Sequence, residues 1–419
     1  MTTTKNNEHK KLNFSSEREQ SQACLNSAEH EKNQGRKVLN VPNLRFKEFQ
    51  GEWEKCKLGN IANITGGYAF KSDTLNSIGG KYQVVKMGNL YQNQLDLHRS
   101  PSYTNILTSK AENVILRKGD IAITLTGTNN KRDFGYTYIF EQEKNLLLNQ
   151  RCGLIRTKGD PYFLSCLLKT YAFLNQFFES ATGGTGNQAN VSTKAMEMFS
   201  VNTPSLKEQK KIGELMALLD ERIATQNKII EDLKKLKSAI SENLFKDVKG
   251  NIVMLSEICE IIKGKQINGE FLSESGKYYV MNGGTEPSGY YSDYNVEANT
   301  ISISEGGNSC GYIQFNPSPF WSGGHCYTIQ KIADNVDNLY LYHYLKSQED
   351  AIMKLRIGSG LPNIQKKDLA MFKIKIPAVE QQRTISTFLS SLERKAETEE
   401  MLLNAMKKEK QYLLRQMFI

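Results

Sequence analysis

The run from Phe199 to Phe245, FSVNTPSLKEQKKIGELMALLDERIATQNKIIEDLKKLKSAISENLF, returns from Phe372 to Phe418 as FKIKIPAVEQQRTISTFLSSLERKAETEEMLLNAMKKEKQYLLRQMF. The register never slips. Phe199 falls on Phe372, Pro204 on Pro377, Gln209 on Gln382, Ile212 on Ile385, Leu219 on Leu392, Lys234 on Lys407 and Phe245 on Phe418, always at an offset of 173. A gapless repeat of this length makes the chain a duplication of one unit, so whatever the first copy folds into, the second must fold into as well.

Each copy opens with a short alternating apolar run that meets a proline just ahead of a long stretch with helical spacing, which predicts strand, turn, then helix. Ile212, Leu215, Leu219, Ile223, Ile230, Leu233, Ile240 and Leu244 recur at three, four or seven residues, the stripe of an amphipathic or coiled-coil helix. Ile385, Phe388, Leu392, Ala396, Leu403, Met406, Leu413 and Met417 occupy the same phases. At 1.5 Å per residue each rod is roughly 60 Å long. Each stripe needs a partner, and the economical solution is that the two helices pack on each other in opposite directions. The polar interruptions Gln226 and Glu399 would then fix the register.

The 419 residues predict two or three domains. The net charge of +9 is unevenly spread: residues 41–205 carry 19 basic and 13 acidic side chains, whereas 246–378 carry 13 and 14. The excess suggests a polyanionic partner for the first globular segment. Seven scattered cysteines without a CxxC pair read as reduced thiols in a cytosol. There is no apolar run of membrane-spanning length and no leader pattern, so a cytoplasmic location is expected.

Residues 1–40 have almost no large apolar side chains and predict a disordered lead. The fold should begin near Val41-Pro42. Strands are predicted at Tyr82 to Lys86, Asp120 to Leu125, Tyr136 to Phe140 and Cys152 to Arg156, then a helix from about Pro161 to Glu179. The second half repeats these events with strands at Tyr278 to Met281, Thr300 to Ser304, Gly311 to Phe315 and Tyr327 to Gln330, and a helix near Asn338 to Arg356. A Gly-rich turn follows in both, and Asn190 matches Asn363 at the same offset of 173. Lys57 to Ile61 is echoed by Met254 to Ile258.

Catalytic motifs are missing from this pattern. Asn316-Pro-Ser-Pro-Phe320 reads as a Pro-stiffened turn rather than a base-flipping methyltransferase run, and no P-loop occurs. Glu208-Gln209-Lys210 reads as a solvated helix face rather than nuclease chemistry, and His325-Cys326 as a buried strand pair rather than a metal site. No catalytic and no metal-ligating residue is expected. What remains is polar loop chemistry suited to base edges and phosphates. Candidate DNA-binding residues in the first half are Lys71, Asn89, Tyr91, Asn93 and the loop Thr126, Thr128, Asn129, Asn130, Lys131 and Arg132. In the second half they are Lys263, Lys265, Asn282, Thr285, Ser304 and Asn308, with Ser304 to Ser309 taken as the counterpart of the Thr126 loop. Candidate partner-helix contacts are Ile212, Leu219, Ile223, Ile230, Leu233, Ile240, Ile385, Leu392, Leu403, Met406 and Leu413.

The runs Ser205-Leu-Lys-Glu-Gln-Lys-Lys-Ile and Ala378-Val-Glu-Gln-Gln-Arg-Thr-Ile, each opening a long helix after a variable head, closely resemble the specificity subunit of type I restriction-modification systems. The opening Val41-Pro-Asn-Leu-Arg-Phe is similar as well, while the lead of about forty residues departs from the family pattern. The resemblance implies an α+β chain of two tandem mixed α/β target-recognition domains, each followed by a long helix, the two helices forming an antiparallel coiled coil in a pseudo-twofold repeat. Its boundaries would be a lead at 1–40, recognition domains at 41–204 and 248–377, and spacer helices at 205–247 and 378–419. Each domain would read one half of a bipartite, asymmetric site in double-stranded DNA. The helices would dock two modification methyltransferase subunits, which restriction/translocase subunits join. The cofactors S-adenosylmethionine, ATP and Mg²⁺ would belong to those partners, with none in this chain. The alternatives are a stand-alone DNA nuclease or methyltransferase with another site, and a coiled-coil assembly protein that never touches DNA.

Overall fold

A computed structural model of the protein describes residues 40–128, 131–142, 144–183, 188–358, 360 and 362–419. The 1–39 part of the expected lead, together with Asn129 and Asn130, lies outside the described residues. The chain divides into two units, one ending at Ala217 but also holding Tyr412–Ile419, the other formed by Leu218–Gln411.

In the first unit, the run Ile121–Thr124, Ile-Ala-Ile-Thr, is buried on both faces and lies inside an antiparallel sheet ordered Ala62–Gly66, Cys152–Thr157, Ile121–Thr124, Thr137–Ile139. Such continuous apolar runs suit a strand covered on both sides. Tyr82–Val85 pairs parallel with Leu146–Leu148 and antiparallel with Tyr103–Thr104. Ala122, Cys152, Leu154, Leu116 and Phe140 form the core between them. The predicted helix from Pro161 is two, Pro161–Leu167 and Tyr171–Glu179. The break falls where the Thr170 hydroxyl accepts from the Phe173 N–H at 3.3 Å and starts a second N-terminus.

The second unit runs through the same order of events. Its four-stranded sheet is Glu260–Lys263, Cys326–Gln330, Thr300–Ser304, Ile313–Asn316, and Tyr278–Met281 pairs parallel with Trp321–Ser322. The strand expected from Gly311 begins at Ile313, because Gly311 sits in the turn with φ +91°. The helix after Asp337 is again split, into Asn338–Ser347 and Glu349–Met353. The core gathers Leu255, Ile301, Ile303, Tyr340, Leu341, Ile374, Ile385 and Leu389. Asn316, ahead of the two prolines, is fully buried and donates to Thr300 O and Ser302 Oγ, both at 2.9 Å.

The repeated glutamine has a definite job in both units. Gln209 Nε2 donates to Thr203 Oγ1 at 2.9 Å and Pro204 O at 3.0 Å, while its Oε1 accepts from the Asp160 N–H at 3.3 Å. Gln382 repeats this with Asn335 O at 3.0 Å, Pro377 O at 2.8 Å and the Asp337 N–H at 2.8 Å. Asp160 and Asp337 are themselves N-caps, each accepting from the N–H three residues on at 2.8 Å. One amide therefore ties the turn before the long helix to the cap of the head helix. Glu208 and Gln209 are consequently buried, correcting the expectation of a solvated face there; only Lys210 is exposed. Glu208 is held by Arg45 at 2.7 and 2.8 Å and by Trp53 Nε1 at 3.3 Å, so the segment that opens the fold supplies the charge that buries it.

The long helices are Leu206–Asp247 and Val379–Met417. Ile212 and Ile385, expected to touch the partner helix, seat the helix starts on the heads instead: Ile385 belongs to the core of the second unit, and Ile212 is buried one residue before Gly213, which abuts Asp160 and Phe163. Ile240 likewise packs against the second core. Leu219, Ile230 and Leu403 are buried, and Ile223, Leu233, Leu392, Met406 and Leu413 are half-buried. Phe388, placed on the stripe, faces outward at 46% exposure. Contacts in the second unit join Asp220 to Lys410, Gln226 to Glu399 and Lys237 to Glu393. The repeat-related ends are aromatic anchors. Phe418 stacks on Phe163 at 5.3 Å in the first unit, and Phe245 meets Tyr344 edge-on at 5.2 Å in the second, each pair adding about 1 kcal/mol beyond burial.

Candidate nucleic-acid interface

In the first unit the stretch expected as the loop Thr126 to Arg132 begins as a strand. Thr126–Thr128 pairs with Gln188–Asn190, which in turn pairs with Thr182–Gly183, because the Gly-rich segment supplies backbone partners that a lone loop would lack. Thr126 is nearly buried, with its Oγ1 at 3.1 Å from Asn190 Oδ1. The Thr128 N–H donates to Asp133 Oδ1 at 2.6 Å. Lys131 and Arg132 are exposed. Arg132 turns the chain at φ +45°, and its guanidinium carbon lies 5.1 Å from the Phe178 ring centroid.

A cleft of about 370 Å³ opens beside this strand, lined by Met87, Thr126, Gly127, Thr128, Asp133, Arg151 and Gln188. Arg151 and Gln188 were not anticipated. Both are exposed, Arg151 just ahead of Cys152–Thr157 and Gln188 directly opposite Thr128. Their signal was the pairing of Asn190 with Thr126, which puts the polar Gly-rich turn on the same edge as the Thr126 strand. Guanidinium and amide groups converging beside two threonines are the donors and acceptors that pair with guanine and adenine edges.

The remaining first-unit candidates divide. Asn89 faces inward: its Oδ1 accepts from the Lys86 N–H at 2.9 Å, and its Nδ2 donates to Asp96 O at 2.8 Å and Arg99 O at 2.7 Å. It therefore holds a turn, which corrects its assignment as a base-edge group. Asn93, at φ +61°, accepts from the Thr137 N–H at 2.8 Å and pins its hairpin to the sheet edge. Tyr91 is 47% exposed and lies 5.5 Å from Tyr136. Lys71 is exposed.

In the second unit Ser304 is buried and donates to Gly283 O at 2.7 Å, a second correction of the same kind. Sheet register also corrects its counterpart. Ser304 lies opposite Cys326 as Thr124 lies opposite Cys152, so Ser304 matches Thr124 rather than Thr126. The pairing of Asn190 and Asn363 holds, since Asn190 faces Thr126 and Asn363 bridges Gly306. Asn282 Oδ1 accepts from the His325 N–H at 3.2 Å. Lys265, Thr285 and Asn308 are exposed, and Lys263 pairs with Glu305 at 2.6 Å. His325 is exposed while Cys326 is buried, so this pair is only half the interior strand pair expected.

Burial pushes the thiols of Cys152 and Cys259 up to about 12 and that of Cys326 up to about 11, which keeps them protonated and unreactive. Among the described residues no group of three or more His, Cys, Asp or Glu could hold a metal ion. No helix among them is long and apolar enough to cross a membrane.

Residues 50–235 and 248–408 match the family model described as the type I restriction modification DNA specificity domain. The chain is 25% identical over 396 residues to a Methanocaldococcus jannaschii protein provisionally named as the MjaX specificity subunit of a type I restriction enzyme, covering 85% of this chain and 90% of that protein. It is 29% identical over 193 residues to the type I restriction enzyme EcoAI specificity subunit of Escherichia coli, covering 45% of this chain and 31% of that one. The crystal structure of the type I restriction-modification S subunit from M. genitalium has the same fold, with a TM-score of 0.64 at 19% identity, covering 90% of this chain and 99% of that one. With two matched copies spanning most of its length, the chain belongs to the family of type I restriction-modification DNA specificity proteins.

Proposed function

We propose that this chain is the DNA-reading specificity subunit of a type I restriction-modification complex, a recognition subunit rather than an enzyme. Its recognition domains are residues 41–204 and 248–377, each reading one half of a bipartite, asymmetric duplex site. The observation that carries this reading is the double match to the specificity domain on a chain that presents exposed polar groups in both copies: Arg151, Gln188 and Arg132 in one, Lys265, Thr285 and Asn308 in the other. The base-facing set is then the Thr126 strand and its cleft with Lys71 and Tyr91 in the first domain, and Lys263, Lys265, Thr285 and Asn308 in the second. Asn89, Asn93, Asn282 and Ser304 hold the turns behind them.

The spacer helices, 205–247 and 378–419, pack as an antiparallel coiled coil. The order of the cross-helix contacts supports this: positions 220, 226 and 237 ascend as their partners 410, 399 and 393 descend. Gln226 and Glu399 are repeat equivalents at the offset of 173, and they touch at 2.5 Å. A residue in contact with its own equivalent lies on a twofold relating the two helices, which supports the pseudo-twofold reading. The outward faces of these helices dock two modification methyltransferase subunits, restriction/translocase subunits join the complex, and S-adenosylmethionine, ATP and Mg²⁺ act in those partners in the cytoplasm.

Exchanging residues 246–371 for those of a relative tests the division of labour. Methylome sequencing of a host carrying the exchanged chain should report a modified site altered in one half only. A change in both halves together would overturn the two-reader arrangement. Methyl transfer or DNA cleavage by the purified chain alone, supplied with S-adenosylmethionine or Mg²⁺ and duplex DNA, would favour a stand-alone enzyme. Retention on duplex DNA that does not fall with salt would count against a DNA role.

A further inference from the structure

Glu305 follows the strand Thr300–Ser304 of the second unit and is only 7% exposed. Its Oε1 accepts from Lys263 Nζ at 2.6 Å and from the Tyr327 hydroxyl at 3.0 Å. Its Oε2 is buried and has no hydrogen-bond donor among the described residues. The nearest ring nitrogen, His325 Nδ1, stands 3.8 Å away, beyond hydrogen-bond reach. A half-satisfied carboxylate in the interior is costly, and such a group calls for a donor that arrives from outside.

The sheet itself does not require this carboxylate. In the first unit the same backbone slot is Leu125: its N–H donates to Arg151 O as that of Glu305 donates to His325 O, and its carbonyl accepts from Val191 as that of Glu305 accepts from Ile364. Lys263 and Tyr327 face each other across the strands as Gly66 and Gly153 do. The triad Lys263, Glu305 and Tyr327 therefore replaces Gly66, Leu125 and Gly153 on an unchanged frame. It is an addition peculiar to the second head, beside the exposed His325.

The chemistry of a carboxylate narrows what it can meet. It only accepts, and it repels phosphate, so it is unsuited to gripping the backbone of a nucleic acid. In the major groove the hydrogen-bond donors are the exocyclic amines, N6 of adenine and N4 of cytosine, whereas guanine and thymine present acceptors at those places. Resting on the reading of this chain as a DNA-reading subunit, we propose that, once the exposed His325 side chain beside Oε2 swings aside, Glu305 reads an exocyclic amino group, adenine N6 or cytosine N4, at one position of the half-site bound by the second head. Lys263 and Tyr327 position the carboxylate through its other oxygen. The arrangement selects amino bases and rejects keto bases by the same lone pair.

The experiment is selection of the full chain, assembled with its modification subunits, on randomised duplexes at fixed salt, comparing wild type with Glu305→Gln. At one position of one half-site a preference for adenine or cytosine should fall by roughly tenfold to a hundredfold, with every other position unchanged. A second measurement needs no variant. Wild-type complex is bound to its selected duplex with that base replaced by an analogue lacking only the amino group, purine for adenine or 2-pyrimidinone for cytosine, and should lose the same factor. If Glu305→Gln keeps the wild-type preference everywhere, or loses only thermal stability, the inference falls while the DNA-reading function stands. Wild type indifferent to removal of the amino group at each adenine and cytosine of the half-site would overturn it equally, as would loss of a guanine preference. A wild-type complex with no sequence preference at all would overturn both the function and this inference.

Discussion

Replacing Gln382 by Ala should unfasten the second long helix from its head. The side chain is completely buried and makes three hydrogen bonds, to Pro377 O, Asn335 O and the Asp337 N–H. At a net ~1 kcal/mol each, their loss costs about 3 kcal/mol, and more if the two carbonyls stay unsatisfied in the space left behind. For a unit of this size each kcal/mol lowers Tm by roughly 2–4 °C, so the second unit should melt about 6–12 °C earlier. Calorimetry, with the fluorescence of Trp321 reporting on the second unit, reads this directly. Gln209→Ala should do the same to the first unit, because its three bonds repeat the arrangement. Lys235→Ala is the control, since that side chain is 70% exposed and its i,i+4 pair with Glu231 is worth a few tenths of a kcal/mol. A shift below 1 °C for Gln382→Ala would refute the reasoning, because a clamp of three buried bonds cannot be removed without cost.

Arg45→Ala should destabilise the first unit by about 3–5 kcal/mol, since it leaves the buried Glu208 carboxylate without its cation; thermal melts of that unit within 1 kcal/mol of wild type would count against the pair. His343, buried and accepting or donating at 2.9 Å to Ser390 Oγ, has its pKa lowered to about 4 mainly by burial, with Lys237 acting in the same direction. The unfolded chain takes up this proton first as pH falls, so its contribution is complete above about 6.5, is lost between about 6.5 and 4, and totals roughly 3 kcal/mol; urea titrations of His343→Gln should lack that slope. Arg132→Ala should cost roughly 1–3 kcal/mol of discrimination if the guanidinium grips a guanine edge, and weaken all sequences alike if it grips a phosphate. Unchanged affinity and selectivity on cognate and single-base-altered duplexes at fixed salt would remove it from the interface.

The repeat at the offset of 173 by itself determined the architecture of this protein: two α+β heads, each leading through a strand and a proline into a long helix. Strands such as Thr300–Ser304 and Tyr278–Met281 fell where their β-branched and aromatic runs stood, because period and residue shape are local properties. The polar interruptions Gln226 and Glu399 could likewise be picked out of the stripes, and they are hydrogen-bond partners. Tertiary structure decided what spacing cannot carry. Glu208 looked like a surface charge until Arg45, more than 160 residues earlier in the chain, was brought against it. Asn89 and Ser304 have the composition of base readers, but their polar groups are spent on nearby backbone, and polar composition does not say which way a side chain turns. Arg151 and Gln188 became candidate site residues only when Gln188–Asn190 paired with Thr126–Thr128. Glu305 became conspicuous only when the frame around it proved identical to that around Leu125. A helix or strand is written in neighbours along the chain, whereas a site is written in neighbours across it, and those are fixed only when burial and hydrogen bonding are satisfied for the whole unit at once.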